Sequence, residues 1–411
     1  MWARKRIDIS WSDLAAGCSS LFIRGTPELA AAIENDWHPD TLACLSVRTA
    51  LDLALQALEL PSGSEVLVSA ITIPDMVAVI QDHGLVPVPV DLCPADLSVD
   101  LDSLATAITD RTRLVLVAHL FGSTMPMQPV IDLAERHRLL IFEDCAQAFS
   151  GEAFKGHPSS DFVAFSFGPI KTATALGGAL AVVRDSQTLS RMRDIQATYP
   201  VQSRLRFGKR IVRYAILKAL GAWPCFRVLA LICRVFGQSI DHVVGSSAKN
   251  FPPGRLVADL RHQPSPPLLA LLRRRLSRFE PKRLEARAER GRRLQRQLSP
   301  TIRCVAAADS THWVFAVRSR QPGTLVDSLR AAGFDATTKS SLRVLSTVGA
   351  GATGALVAES LLPDLVFVPA YPKMPLRELD RMAGVINNTE NSNPQPADVT
   401  VDTLSVTEST T

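Results

Sequence analysis

The sequence predicts an α/β protein: a large three-layer domain built on a mostly parallel sheet, followed by a smaller C-terminal α/β domain. Three observations predict it. Short apolar strand segments alternate with amphipathic helical ones from about Thr41 to Asp185, the pattern of a parallel sheet covered on both faces. A second, shorter strand and helix pattern returns near His312. The chain has 411 residues, 46% hydrophobic and 21% charged, which suffices for a large core and suits two domains better than one.

An N-terminal arm, 1–40, precedes the large domain, 41–195. Apolar spacing predicts a helix over Leu42–Leu60, a strand over Ser64–Thr72 and a helix over Ile73–His83. A strand over Gly84–Asp91, a helix over Leu101–Thr109 and a strand over Arg113–His119 follow. The series ends with a helix over Pro129–His137 and strands over Arg138–Asp144, Phe162–Phe167 and Gly178–Val183. Ligands of such sheets bind at the carboxyl ends of strands, which singles out Asp91, His119, Asp144 and Ser166.

Residues 196–262 read as a basic and apolar helical insert. Its segment Tyr214–Gly237 is strongly apolar but punctuated by Lys218, Arg227 and Arg234. Two readings stay open: a basic apolar helix lying on an anionic membrane surface, and helices packed on the body or across a dimer interface. The linker and small domain span 263–386, with one Arg-rich connecting helix over Leu268–Leu298. Glu280, Glu285 and Glu289 interleave its cations and no aromatic platform accompanies them, so it reads as a solvated helix rather than a nucleic-acid surface. His312–Val317 and Leu365–Pro369 read as strands, and Thr324–Ala332 as a helix closed by Gly333. The polar tail, 387–411, is expected to be disordered.

The balance of 45 basic and 40 acidic residues is too mild to imply nucleic-acid binding. Seven scattered cysteines without a CxxC pair argue against a disulfide framework and a zinc site, so no metal is expected and the thiols suit a reducing cytosol. No secretory signal follows the basic start MWARKRIDISW. The longest uncharged run, Leu114–Ile131, carries His119, Gly122, Pro126 and Pro129 and is no spanning helix. A cytoplasmic protein is expected, membrane-associated if the insert lies on a bilayer.

The chemistry concentrates in Phe142–Gly178. A strand ends in Glu143-Asp144-Cys-Ala-Gln147; Ser166-Phe-Gly-Pro-Ile-Lys171 follows, then Leu176-Gly177-Gly178. A strand-end carboxylate, a serine and a lysine before glycines suit pyridoxal phosphate. The lysine amine can condense with the cofactor aldehyde as a Schiff base. A carboxylate can keep the ring nitrogen protonated, and a hydroxyl can bind phosphate.

In these residues, and in SEVLVSAIT, GLVPVPVDL, ITDRTRLVLVAHLFG, IFEDCAQAF, Trp313–Phe315 and VPAYPKMP, the chain resembles the DegT/DnrJ/StrS sugar aminotransferases over about Leu42–Ile386. The resemblance implies a three-layer PLP-transferase-like large domain and a homodimer. It implies pyridoxal 5'-phosphate as cofactor, glutamate as amino donor and a nucleotide-linked keto-sugar as acceptor. By position it assigns Lys171 as the Schiff-base lysine and proton shuttle, Asp144 to the pyridinium nitrogen, Gln147 to the ring-hydroxyl side and Ser166 to the phosphate. Lysine at 171 argues against the related sugar dehydratases. His119 matches the histidine of the family's HLYG segment.

Several positions depart from the pattern. Ser46-Val47-Arg48-Thr49 replaces the usual Ser-Gly-Thr; Arg48 can strengthen the phosphate contact or obstruct the usual one, and the first is expected, with Arg48 and Thr49 at the phosphate. Ile73 stands where an aromatic residue commonly stacks, and Ala175 where a glycine is common. Arg261-His262 stands roughly where an Asn-Tyr-Arg-Met segment is expected. These departures motivate a second reading, a non-catalytic protein of the same fold acting in regulation or assembly of polysaccharide or secondary-metabolite biosynthesis. A lyase would need a mobile cysteine, and Cys145 at the strand end reads as structural.

Overall fold

The computed structural model describes residues 1–4, 7–23, 25, 27–221, 256–299, 302–305, 310–345 and 355–392. Two helices form the N-terminal arm, Trp11–Ser20 and Pro27–Trp37. The strands of the large domain are β1 (Thr41–Cys44), β2 (Glu65–Ser69), β3 (Ile71–Thr72), β4 (Val86–Val90), β5 (Thr112–Ala118), β6 (Leu140–Asp144), β7 (Phe162–Ser166) and β8 (Ala179–Val183). Seven of them form one sheet in the order β1-β8-β7-β6-β5-β2-β4. β8 runs antiparallel to both its neighbours and the remaining pairs are parallel. Six strands therefore point the same way.

One face is covered by the helices Val47–Leu58, Pro74–Asp82 and Ser186–Ala197, around a core of Leu51, Leu53, Val66, Leu116 and Phe142. The other is covered by Leu101–Ala107, Gln128–Arg136 and Leu356–Asp364, and towards β8 by the arm and the helix Pro266–Ser277. The edge strand β4 reads Val-Pro-Val-Pro-Val. Proline donates nothing to a ladder, so an edge tolerates it and is blunted by it.

The small domain contains β9 (Arg303–Cys304), β10 (Phe315–Arg318) and β12 (Leu365–Val368), paired antiparallel in the order β12-β10-β9 and backed by helices Pro281–Gln297, Pro322–Ala331 and Leu376–Asn391. β11 (Arg343–Val344) leaves this domain and pairs with β3.

Three expectations need correction. The predicted helix Leu42–Leu60 is strand β1 followed by the helix Val47–Leu58: Thr41–Cys44 is buried throughout and pairs with β8, and Ser46 caps the helix by accepting the Thr49 N–H at 3.2 Å. The predicted single helix Leu268–Leu298 is two, because Pro281 cannot donate to the preceding turn and starts a new helix. The polar tail begins later than expected, since the last helix runs through Asn387 to Asn391. Residues 222–255 of the expected insert and 393–411 of the expected tail lie outside the described residues. No described helix is long and apolar enough to cross a membrane.

Candidate active site

The parallel strands open their carboxyl ends on one edge of the sheet, and the reversed β8 returns Gly177 and Gly178 to that edge. The register shows the meeting: Ala179 pairs with both Cys44 and Ser166, and Asp144 pairs with both Ala118 and Ala164.

Asp144 closes β6 and is buried. Its Oδ1 accepts the Ala146 N–H at 2.8 Å, and its other oxygen takes no hydrogen bond among the described residues. Burial raises this carboxyl above its ordinary value, partly offset by the Ala146 N–H and by the positive charge of Lys171. Lys171 lies in the turn after β7. Loss of water pushes its amine down to about 8; Asp144 pulls it back up and Arg48 pushes it further down. The amine thus gives up its proton far more readily than a solvated lysine.

The Lys171 loop is tightly held. Ala175 N–H and Gly177 N–H both bond the Phe167 carbonyl, at 3.0 and 3.1 Å, and Ala173 N–H bonds Asp8 Oδ2 at 2.8 Å. Ala173 and Leu176 adopt left-handed φ of 52° and 64° with fully buried side chains. Each costs about 1–2 kcal/mol relative to ordinary backbone, and the surrounding bonds over-determine the conformation.

Trp313 covers the amine. Lys171 Nζ lies 4.2 Å from the indole centroid, and the indole Nε1 donates to the Ile170 carbonyl at 3.0 Å. Trp313 comes from the small domain, and Gly122 lets it dock. Thr311 donates to the Gly122 carbonyl through its N–H at 2.9 Å and its hydroxyl at 3.0 Å. Gly122 has φ 95°, and a Cβ there would lie 2.5 Å from Trp313 N. Arg287 ties the two sides by donating to the Thr311 carbonyl at 2.7 Å and to the Thr172 hydroxyl at 3.2 Å.

Gln147 enters this architecture from below. Its Oε1 accepts the Phe121 N–H at 2.9 Å and so holds the Phe121-Gly122 loop that carries Trp313. His119 is buried; its Nδ1 accepts the Met125 N–H at 3.1 Å, leaving Nε2–H to donate to Glu143 Oε1 at 2.8 Å. Burial would raise Glu143, but bonds from His119, the His157 N–H and Ser160 outweigh it and hold the carboxyl below its ordinary value. The pair braces β5 against β6. Cys145 beside it is fully buried, and burial pushes its thiol well up, so it is no ready nucleophile.

A basic cleft of about 480 Å³, its open mouth included, lies beside Gly168, three residues before Lys171. Ser46, Arg48, Ser166, Gly177, Gly178 and Arg210 line it. Arg48 reaches it but is ion-paired with Asp75. Thr49 does not line it: it is fully buried, and its hydroxyl donates to the Leu260 carbonyl at 3.1 Å while its N–H is spent on the Ser46 cap. Thr49 was expected at the phosphate; in this structure it is not among the residues that line the cleft. Of the Arg261-His262 pair, only His262 lines the cleft; Arg261 turns away to grip the buried Asp52 with two bonds of 3.1 and 2.9 Å.

Lys171, Asp144, Ser166 and Arg48 are thus brought to one edge, and Gln147 holds the Phe121-Gly122 loop. Trp313 was not among the expected site residues, although the Trp-x-Phe pattern marked its neighbourhood. The set fits pyridoxal phosphate: a readily deprotonated amine for its aldehyde, a buried carboxylate with a spare oxygen for its ring nitrogen, and a basic cleft for its phosphate.

Residues 31–210 match the model of the DegT/DnrJ/EryC1/StrS aminotransferase family. The chain is 34% identical over 155 residues to a GDP-perosamine synthase of Caulobacter vibrioides, covering 37% of this chain and 42% of that one. It is 30% identical over 153 residues to a UDP-4-amino-4-deoxy-L-arabinose–oxoglutarate aminotransferase of Shewanella sediminis, covering 37% and 39%. The matched stretch spans less than half the length of these curated relatives. The fold matches over nearly the whole chain. The sugar aminotransferase CalS13 of Micromonospora echinospora superposes with a TM-score of 0.69 at 19% identity, over 94% of this chain and 100% of that one. The PLP form of Spr1654 from Streptococcus pneumoniae, a proposed sugar aminotransferase, superposes with a TM-score of 0.67 at 20% identity, over 94% and 98%.

Proposed function

We propose, from the match of residues 31–210 to the DegT/DnrJ/EryC1/StrS aminotransferase family, that the protein is a pyridoxal-phosphate-dependent aminotransferase that moves an amino group from glutamate to a nucleotide-linked keto-sugar. The observation that carries the reading is Lys171: an amine held at about 8 by burial, facing Asp144 and covered by Trp313. Bound there, the cofactor supplies an electrophilic aldehyde and an electron-withdrawing ring. Lys171 binds the aldehyde end and then carries a proton to and from the reacting carbon, a task its lowered pKa suits near neutral pH. Asp144 holds a proton on the ring nitrogen. Trp313 excludes water from the amine. Ser166 and Arg48 sit where they can orient the phosphate. The nucleotide-sugar acceptor and the glutamate donor are supported by the relatives' names, a synthase that makes GDP-perosamine and an aminotransferase that pairs a UDP-linked amino sugar with oxoglutarate.

The test is a visible absorption titration with pyridoxal phosphate, wild type beside Lys171→Ala, before and after glutamate. A band that needs Lys171 and shifts with glutamate is expected. Absence of a Lys171-dependent band would refute the reading. A band that no amino donor shifts would favour the non-catalytic alternative, against which the retained Lys171 and Asp144 speak.

A cytoplasmic homodimer, with peripheral membrane contact through the segment from Tyr214, belongs to the same proposal. The helix Arg204–Leu220 exposes Leu205, Val212 and Ile216 at 79, 56 and 55%, flanked by exposed Lys209 and Arg213. This stripe supports an apolar partner for the helix. Light scattering in solution and sedimentation with anionic vesicles separate a second copy from a bilayer; a monomer that ignores vesicles would remove both.

A further inference from the structure

We infer that Arg210 is the phosphate-binding guanidinium of the cleft, supplied by the chain's own helix Arg204–Leu220, and that the phosphate it takes is the cofactor's. The inference rests on the proposed cofactor and names a residue that the family resemblance did not assign.

Three arginines line the cleft: Arg48, Arg206 and Arg210. Two have carboxylate partners, Arg48 with Asp75 and Arg206 with Asp259 at 3.2 Å. Arg210 has none among the described residues; its Nη1 makes one hydrogen bond, to the Leu176 carbonyl at 3.1 Å. A guanidinium has five N–H donors, so most of its hydrogen-bonding capacity stays unused. A largely desolvated cation without a counter-ion is unfavourable, and burial lowers its affinity for its own proton, with Arg206, Arg213 and Arg48 adding to the effect. A bound dianion would reverse that cost.

The surroundings fit a phosphate. Gly177 leaves room for the guanidinium, since a Cβ there would lie 2.8 Å from Arg210 Nη1. Gly178 N–H bonds the Leu45 carbonyl at 3.1 Å, which brings the β8 start against Ser46 at the positive end of the helix Val47–Leu58. The Ser166 hydroxyl accepts only a long 3.4 Å contact from Gly168 N–H among the described residues. Gly168, which lines the cleft, adjoins the Lys171 side chain: a Cβ on it would lie 3.5 Å from Ser166 Oγ and 3.8 Å from Lys171 Cγ. Arg48 exerts its charge on both Lys171 and Arg210. Both groups lie within reach of Arg48, which suits a ligand with its aldehyde end at Lys171 and its phosphate end at Arg210.

The experiment compares pyridoxal phosphate with pyridoxal, which lacks the phosphate, in the full-length protein. Dissociation constants come from the Lys171-dependent absorption band for wild type, Arg210→Gln, Arg210→Lys and Gly177→Ala. Arg210→Gln should weaken pyridoxal phosphate by about 10- to 100-fold, the range for losing hydrogen bonds to a charged group. Pyridoxal binding should stay within about twofold of wild type. Arg210→Lys should recover part of the loss, and Gly177→Ala, which displaces the guanidinium and keeps its charge, should reproduce part of it. Equal losses for both compounds, or none, would overturn the inference. A loss confined to uridine diphosphate, titrated calorimetrically, would move the phosphate to the substrate and overturn the cofactor assignment. A wild type with no Lys171-dependent band for either compound would refute the cofactor reading itself. In that case inorganic phosphate binding lost in Arg210→Gln would still identify Arg210 as an anion site, so the two failures are distinguishable.

Discussion

Replacing Gly122 with alanine should lift Trp313 off Lys171. Gly122 has φ 95°, where an L side chain costs about 1–2 kcal/mol. The new Cβ would sit 2.5 Å from Trp313 N and 2.6 Å from Thr311 Oγ1. Backbone cannot swing aside as a side chain can, so the two segments must separate. That breaks the two bonds from Thr311 to the Gly122 carbonyl, of 2.9 and 3.0 Å, at about 1 kcal/mol each. The docked state should lose about 3–4 kcal/mol altogether. The large-domain sheet does not depend on this contact, so the expected result is local undocking with a modest fall in Tm. Water then reaches Lys171, and its pKa should climb from about 8 towards the ordinary 10.5. The assay is the pH dependence of Lys171 modification by trinitrobenzenesulfonate, with Lys171→Ala as blank, alongside calorimetry. An unchanged midpoint and Tm would refute the docking argument. A lower Tm with an unchanged midpoint would show that Trp313 does not desolvate the amine.

Further outcomes follow from the same electrostatics. Asp144→Asn removes the charge that raises Lys171, so the modification midpoint should fall below that of wild type, whereas Arg48→Gln removes a cation and should raise it. The folded value of Lys171, about 8, lies below the ordinary 10.5, so the buried amine costs stability below pH 8 and that cost fades as pH rises towards 10.5; apo Lys171→Met should be more stable than wild type at pH 7, with the gain gone near pH 10.5 in urea unfolding. His119→Ala leaves the buried Glu143 without its 2.8 Å partner and should destabilise the fold by about 3–5 kcal/mol, measured by urea midpoint. Burial would raise Asp52, but His83 and Arg261 together bring its carboxyl below 3.8; its stabilisation is present above that value and lost as pH falls through the folded one, so Asp52→Asn should flatten the acid limb of the stability profile.

Much of the site was legible because local pattern marks it. Asp144 is visible as the polar residue that ends an apolar strand, and Lys171 as the lysine between Ser166 and a glycine pair. The alternation of strand and helix was likewise legible, since each element's apolar spacing is set by its own residues. Pairing was not. Thr41–Cys44 continues an apolar run that reads as helix, and only the ladder to β8 makes it a strand. Thr49 reads as a phosphate ligand, while in the structure its N–H goes to the Ser46 cap and its hydroxyl to the Leu260 carbonyl.

The sequence by itself therefore determined the layer architecture, the strand-end carboxylate, the lysine and the chemistry they suit, because these depend on residue type and short spacing. Only the tertiary structure decided how the lysine is tuned and what completes the site. Trp313 over Lys171, Gln147 bracing Phe121, Asp75 taking Arg48, and Arg210 against Gly177 all join residues distant in the chain. No local signal encodes such meetings; they exist because packing the two sheets and their helices brings those segments to one edge, where burial and neighbouring charge set the chemistry.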